Sequence, residues 1–541
     1  MSESVSASSW QTARLGDVAE IIRGLAFPST DKSFQEGEGL IACLRTTNVQ
    51  REVEWSDLWF IPRKHVRNER QVIRTGDILI STANSYELVG KVAQVRNPPV
   101  AATLGAFISM IRADAELSPK YIHYQLASSD VQQRIREMAS TTTNISNVST
   151  SKLAELDLSI APRPEQDRIV AEIEKQFTRL DDAVAALKRV QANLNRYRAS
   201  LLKAACEGRL VPTEAELARK EGRDYEPASE LLKRILAERR AKWEADQLQK
   251  MIAAGKPPKN EEWKTRYKEP KPPNASMLTE LPEGWIWATV EQISTKVVDG
   301  VHKKPDYVPS GVPFVTVKNL TAGPGISFDD LHYVTKSDHE EFIKRANPEL
   351  GDILISKDGT LGVVRAIRTD QVFSIFVSVA MIKPPFRELT DYLEMALCSP
   401  QVQIQMVPKG SGLQHIHLED LREDCIPLPP VGEQHRIVDA CSRQISIIDA
   451  LEEEVQKRSV HAAALRQSIL RSAFSGKLVP QNPNDEPASV LLERIRAERA
   501  ALATNNGNQK ATPEAGTANG QRRRRIERLA HRVSGGKGAG K

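Results

Sequence analysis

The hexapeptide EQDRIV at Glu165–Val170 returns as EQHRIV at Glu433–Val438, and this pair decides how the chain is read. The copies differ at one position and stand 268 residues apart. At the same offset Gly208, Leu210, Val211 and Pro212 meet Gly476, Leu478, Val479 and Pro480, and Asp181 meets Asp449. Downstream, PASELLKRILAERR from Pro227 and PASVLLERIRAERA from Pro487 share ten of fourteen residues at an offset of 260, so the first copy holds about eight extra residues between Pro212 and Pro227. Upstream, GDILIS occurs at Gly76–Ser81 and Gly351–Ser356, and Trp10 and Leu15 map onto Trp285 and Val290 at the same offset of 275. Elsewhere the halves differ almost everywhere. A period this long describes a duplicated domain pair, not a solenoid.

Each hexapeptide opens a helical pattern. Pro162–Pro164 and Pro429–Pro430 precede charged, amphipathic runs, a helix-start signal. Ile173, Phe177, Leu180, Val184, Leu187, Gln191, Leu194, Arg198, Leu201 and Ala205 then recur at spacings of four and three, matched by Cys441, Ile445, Ile448, Glu452, Val455, Ser459, Ala462, Arg466, Ile469 and Ala473. This heptad-like seam predicts two helices of about 36 residues, roughly 54 Å each, stopped by Gly208 and Gly476. A lone helix with such a stripe needs a partner, and the two helices are expected to pack antiparallel against each other. The variable segments mix short β-type runs (IACLRTTNV, VPFVTVKNL) with Gly, Pro, Asn and Asp turns, which reads as α+β. The expected layout is a first mixed α/β domain at 1–160, a helical region at 161–244, a Pro/Lys-rich linker at 245–280, a second mixed domain at 281–430, a second helical region at 431–503 and a disordered basic tail at 504–541.

No run of about 18 apolar residues is present, and MSESVSASSW lacks the basic and apolar parts of a signal peptide. Five scattered cysteines without a C-x-x-C pair argue for a reducing cytoplasm and against a disulfide framework or zinc knuckle. The net charge is +5, yet residues 521–541 carry eight Lys/Arg and one acid, leaving 67 basic and 69 acidic residues in 1–520. Any nucleic acid would therefore meet local patches on the body, with the tail adding salt-sensitive, sequence-independent affinity.

The twin E-Q-x-R-I-V openings, twin G-[RK]-L-V-P closings and twin GDILIS strands, with GVHKKPDYVPSGVPFVTVKNL and GDILISKDGTLG in the second variable domain, resemble the specificity subunits of type I restriction–modification systems. The resemblance covers almost all of residues 10–505. It implies two target-recognition domains held apart by an antiparallel coiled coil, bound to double-stranded DNA, to modification (methyltransferase) subunits and to restriction/translocase subunits. S-adenosylmethionine, ATP and Mg are then expected on those partners, and no cofactor or metal on this chain. The longer first copy, the extended linker and the Arg-rich tail depart from the pattern.

The residues support that reading independently. A duplicated domain pair joined by antiparallel helices has an approximate two-fold axis, so each domain can address one duplex from an equivalent position. Because the domains differ in sequence, the half-sites should differ, with the unread gap set by the helices. Base reading needs Arg or Lys for guanine and Asn or Gln for adenine on loops that enter a groove. The candidates are Arg45, Thr46, Thr47 and Asn48, then Ser81, Thr82, Asn84, Ser85 and Tyr86 in the first domain. In the second they are His302, Lys303, Lys304, Lys318 and Asn319, then Ser356, Lys357, Asp358 and Thr360. Asn48 and Asn319 follow comparable strands and suggest a shared role; Gly76–Asp77 and Gly351–Asp352 read as turns that start a strand. Solvated turn residues are the bland alternative for most of the set.

A catalytic site cannot be assembled. There is no G-x-x-x-x-G-K-[ST], and Asn97–Val100 (NPPV) ends in Val, which cannot stack on a flipped base. His415, His417 and Glu419 lack a second ligand cluster for a metal. Methyl transfer and cleavage fall to partners, and two copies of one partner fit a repeat that occurs twice. The competing reading is a coiled-coil scaffold that touches no DNA, which leaves the divergence of the two variable domains without a reason.

Overall fold

A computed structural model describes residues 9–142, 145–274, 278–408 and 414–509, with 503–509 as backbone only. The chain forms two compact units, one built from residues up to Asp181 together with those from Ala463 on, the other from Asp182–Ala462.

The first unit carries β1 (Gln11–Arg14), β2 (Ala19–Arg23), β3 (Leu40–Leu44), β4 (Trp59–Pro62), β5 (Ile78–Ser81), β6 (Ala83–Asn84), β7 (Val92–Gln94), β8 (Ala102–Leu104), β9 (Ile108–Ala113), β10 (Ser140–Thr141), β11 (Ser146–Asn147) and β12 (Asp157–Ile160). Its sheets run β2-β9-β5-β7, β4-β3-β8, β1-β12 and β10-β11-β6. The second unit carries β13 (Ile286–Thr289), β14 (Lys296–Asp299), β15 (Val312–Val315), β16 (His332–Val334), β17 (Ile353–Ser356), β18 (Val364–Ala366), β19 (Ser374–Ile375), β20 (Val379–Lys383) and β21 (Cys425–Leu428). Its sheets run β14-β20-β17-β18, β16-β15-β19 and β13-β21, the same topology again. In both units the three-stranded sheet pairs its central strand parallel to the last one. The duplication that the repeats announce thus extends to the strand order of three sheets, including regions where no residue pattern is shared, while the β10-β11-β6 sheet of the first unit has no counterpart among the described residues.

The GDILIS strands explain why they survive in both copies. Ile78–Ser81 and Ile353–Ser356 are buried at every position as central strands. Gly76 and Gly351 sit at φ of 93° and 95°, a left-handed turn open chiefly to glycine. The following aspartates are buried and structural, as the sequence suggests: Asp77 accepts from Arg74 N and pairs with Arg112 at 2.8 Å, while Asp352 accepts from Glu349 N and pairs with Lys383 at 2.6 Å. Arg112 and Lys383 occupy equivalent places on β9 and β20, so a basic residue neutralises the buried acid each time.

The long helices span Arg163–Cys206 and Val431–Phe474, 44 residues each, or about 66 Å. They exceed the expected 36 residues because their first turns pack into the mixed domain and not along the seam. Glu165, Gln166, Glu433 and Gln434 are buried there. Gln166 accepts from Ser118 N at 3.0 Å and donates to Ala161 O at 2.9 Å; Gln434 donates to Pro429 O at 2.8 Å. Glu165 accepts from the Trp10 indole at 3.0 Å, and Glu433 accepts from Glu214 N at 2.9 Å. Arg168 reaches Asp485 at 2.6 Å and Arg436 reaches Glu214 at 2.7 Å. The repeated hexapeptide is therefore the bolt that fixes each long helix to its domain. The extra residues of the first copy form a helix, Glu214–Glu221, capped by Thr213 and Glu216 and ended by Gly222 at φ 65°, and this insert supplies Glu214.

Every seam residue named above is buried or half-buried. Within the second unit the helices run antiparallel: Arg198 bonds Asp449 at 2.6 Å and Glu452 at 2.9 Å, and Gln191 bonds Glu452 at 3.1 Å. In the first unit Arg466 pairs with Asp181 and lies over the Phe177 ring at 4.1 Å. Since Arg466 and Asp181 are the repeat equivalents of Arg198 and Asp449, one polar pair locks the register twice. Gly208 and Gly476 end the helices at φ of 65° and 70°, and the amides that follow them bond back to Ala204 O and Ser472 O.

The downstream helices exchange partners. Ala228, Leu231, Leu232 and Ile235, from the first copy, pack with Ala288, Val290 and Ile293 of the second domain. Ala488, Leu491, Leu492 and Ile495, from the second copy, pack with Leu15 and Val18 of the first. The joints match: Ala228 N donates to Gly284 O at 2.8 Å, and Ala488 N to Ser9 O at 3.0 Å. Ser9 and the helix that starts at Ala488 thus belong to one unit. The helix Ala228–Ala253 runs nine residues into the stretch 245–280, whose Trp263 and Tyr267 pack on Trp243 of the helix with ring centroids 5.3–6.1 Å apart. The last helix, Ala488–Gln509, continues six residues into the stretch expected to be a disordered tail; residues 510–541, with the arginine run, lie outside the described residues.

One buried acid makes stability depend on pH. Asp424, just before β21, has its Oδ2 without a hydrogen-bond partner, and burial together with the Asp420 charge pushes its carboxyl up to about 7. The folded state then holds a proton that the unfolded chain releases near 3.8, so this site costs more as pH rises through that window. Asp424→Asn is expected to gain about 1–2 kcal/mol over the parent between pH 5 and 8 in urea unfolding. A gain that does not change with pH would refute the assignment.

Candidate nucleic-acid interface

In each unit four strand ends meet at one tip. In the first, Gly24 N, just past β2, donates to Ile108 O at 3.0 Å, and Leu25 N to Leu104 O at 2.7 Å. Gly105 N donates to Leu44 O at 2.8 Å, and Thr82 N to Phe107 O at 2.9 Å. The loops after β2, β3 and β5 and the β8–β9 turn are thereby tied together. The second unit repeats the knot: Gly300 N to Val379 O at 3.2 Å, Val301 N to Ile375 O at 3.1 Å, Phe376 N to Val315 O at 3.1 Å and Lys357 N to Ser378 O at 2.9 Å. Gly24 and Gly300 sit where a Cβ would lie 2.1 Å from Gly105 O and 2.0 Å from Ile375 O, so both tips depend on a glycine at the crossing.

The candidate loops are gathered at these tips, but their residues divide. Asn48 and Asn319 do share a role, and it is internal. Asn48 is buried, accepts from Arg45 N at 2.9 Å and donates to Glu54 O and Asp57 O at 2.9 and 3.0 Å. Asn319 is buried, accepts from Thr316 N at 2.9 Å and donates to Ser327 O at 3.2 Å. Their carboxamides hold the loops and present no base-reading edge, which corrects that expectation. Ser81, Thr82, Ser356 and Lys357 are likewise buried. Ser356 Oγ donates to Thr360 O at 2.6 Å and accepts from Val363 N at 2.8 Å, and Lys357 pairs with Asp299 at 3.3 Å. Arg45 is half-buried, paired with Asp57 and laid over Trp59 at 4.7 Å.

Thr47, Tyr86, His302, Lys303, Lys304, Lys318 and Thr360 remain exposed, with Thr46, Asn84, Ser85 and Asp358 half-buried. Lys318 pairs with exposed Asp330, whose carboxyl it holds below the ordinary range. The second tip is organised by Asp299, which is buried beneath its cations. Burial raises this carboxyl, but hydrogen bonds from Arg345 and His302 and the Lys357 charge outweigh it and leave it below its usual value. His302 stands 3.2 Å from Asp299 and 3.0 Å from the Arg345 guanidinium.

Sequence reading missed Asp299, Arg345 and the β8–β9 turn with Phe107. Gly24 and Gly300 are 276 residues apart, one off the GDILIS offset, and that near-register was the available signal. It also missed the β10–β11 strands, which add to β6 through Asn84–Ser146 and bring Ile145 to the first tip. His415 forms a bridge with Asp358, placing it at the second tip.

Two units of one topology, each ending in a knotted loop tip of its own chemistry and each built on an antiparallel helix pair, define a duplicated recognition protein. The chain belongs to the family described as the type I restriction modification DNA specificity domain, whose model matches residues 7–189 and 298–458. It is similar to the type I restriction enzyme EcoKI specificity subunit of Escherichia coli K12, 25% identical over 93% of this chain and 97% of that one. It is 26% identical to the EcoBI specificity subunit of Escherichia coli over 68% of this chain and 69% of that one. A solved chain from work on complex assembly and conformational transition of the type I R-M system shares the fold, with a TM-score of 0.56 at 17% identity over 86% of this chain and 98% of that one. The protein is a DNA-recognition subunit, and the enzymatic activities of such systems lie on partner subunits. No helix among the described residues is long and apolar enough to cross a membrane.

Proposed function

We propose that this chain reads an asymmetric, two-part DNA site, one half with each tip, for a cytoplasmic complex in which two modification subunits and the restriction subunits are partners. S-adenosylmethionine, ATP and Mg belong to those partners in this reading. The observation that carries it is one topology bearing two unlike tips: equivalent frames suit equivalent approaches to a duplex, while divergent loop chemistry suits different bases. The doubled pair Arg198–Asp449 and Arg466–Asp181 supports two equivalent docking places for one partner, hence a 2:1 ratio.

The test is to express the chain with its candidate methyltransferase partner and sequence the host DNA for methylated adenine. A split, asymmetric motif with a fixed gap is expected, and native mass of the complex should show two modification subunits per chain. A continuous palindromic motif, or none, would remove the two-part reading, and a single bound modification subunit would remove the stoichiometry.

A further inference from the structure

The two tips differ in kind, not only in sequence. In the first, the loop 82–86 and the turn 105–107 contain no Lys or Arg. What they expose is apolar: Phe107 is 63% exposed, Tyr86 49% and neighbouring Ile145 53%. Phe107 is not there through slack in the chain. Its carbonyl accepts from both Thr82 N at 2.9 Å and Ala83 N at 3.3 Å, so the backbone is pinned while the ring faces water. Asn84, the amide beside them, is engaged within its own loop: it donates to Ser81 Oγ at 3.3 Å and accepts from Ser85 N at 2.9 Å. Exposing large apolar groups on a pinned loop is unfavourable in the free protein and favourable once they are covered. The second tip exposes His302, Lys303 and Lys304 after β14 and Lys318 after β15, in the loops that correspond to those after β2 and β3 of the first tip, where Ala26, Phe27, Pro28 and Thr47 stand.

Resting on the two-part reading above, we propose that the first tip reads its half-site through apolar contact of Phe107 and Tyr86 with thymine methyl groups in the major groove, whereas the second tip reads its half through cationic donors. The thymine C5-methyl is the apolar feature of the major-groove edge, and guanine N7 and O6 are the acceptors that Lys matches. The occupant of the apolar patch is the duplex because the patch is continuous with the loops that converge at the recognition tip, on the backbone bonds that build it.

The experiment uses the assembled methyltransferase and its mapped site. Thymines are replaced by uracil in one half at a time, which keeps every hydrogen-bonding group and removes only the methyl. Uracil in the half assigned to the first domain is expected to weaken binding about tenfold, one good contact's worth of discrimination, and uracil in the other half to leave it within twofold. Phe107→Ala and Tyr86→Ala complexes should bind the natural site about tenfold more weakly and lose the response to uracil. Circular dichroism and the recovered subunit ratio report folding and assembly of each variant. A first half without thymine on either strand, or an uracil effect absent from that half, overturns the proposal while the two-part reading stands. So does a Phe107→Ala variant that binds DNA normally but loses its partner subunits, which would make the patch a protein contact. Failure to find any split motif would instead overturn the reading beneath it.

Discussion

Gly300→Val is expected to destabilise the second unit by about 3 kcal/mol or more. A Cβ at this position meets Ile375 O at 2.0 Å, Ile375 C at 2.4 Å and Phe376 C at 2.6 Å, all backbone. No flexible side chain can yield, because the opposing segment is held by Gly300 N to Val379 O, Val301 N to Ile375 O and Val377 N to Val301 O. Relief requires breaking the knot that joins β14, β15 and the β19–β20 turn, so the tip fails together with the frame. Urea unfolding should show the loss, and sequence preference should weaken with it. Gly325→Ala, where a Cβ meets nothing within 4 Å, is the control and should stay within about 0.5 kcal/mol of the parent. Parent-like stability of Gly300→Val would show that the crossing can open.

The second large effect concerns the helix register. Arg198 occupies a mostly apolar seam and bonds two acids of the antiparallel helix, Asp449 and Glu452. Arg198→Asp places three carboxylates together and removes two charge-assisted bonds, a cost on the order of 2–3 kcal/mol for a half-buried site. Asp449→Arg alone should cost less, because Glu452 still faces Arg198. Combining the two substitutions should recover part of the loss, since the introduced guanidinium then faces the introduced carboxylate as well as Glu452. The mutant cycle should give a favourable coupling of about 1 kcal/mol or more. Additive single effects would mean that the pair is a surface ornament and that packing alone sets the register.

Much of this was legible beforehand. The hexapeptides, the GDILIS strands and the closing glycines are local signals with local causes: a helix bolt, a left-handed turn and a helix stop. Each is enforced by neighbours within a few residues or by one strand partner, so each leaves a pattern. The helix seam was legible for the same reason, since a spacing of four and three is a property of one helix. Its length was not, because the turns before Ile173 bury residues against the domain and break the pattern there.

The candidate loops lie at the tips, and their residues divide between exposed and buried. Thr47, Tyr86, His302, Lys303, Lys304 and Lys318 do face solvent at the tips, whereas Asn48 and Asn319 turn inward. A carboxamide that satisfies a loop and one that reads adenine look alike in sequence, since both want a turn, and only the positions of the carbonyls at Glu54, Asp57 and Ser327 separate them. Phe107 gave no signal at all: an apolar residue before a strand is ordinarily core.

By itself, then, the sequence determined the duplication, the two helices and their partnership, and the family to which these belong, because periodic burial and chain-local turns are written residue by residue. Tertiary structure alone decided that each downstream helix serves the other copy's domain, that Ser9 and the helix from Ala488 share one unit, and that a buried acid under one tip gathers cations while the other tip shows an apolar face. Those outcomes rest on contacts between segments well separated in the chain, from Asp299 with Arg345 to Ser9 with Ala488, where either copy's helix presents nearly the same apolar face, and nothing local distinguishes the partner that is chosen from the one that is not.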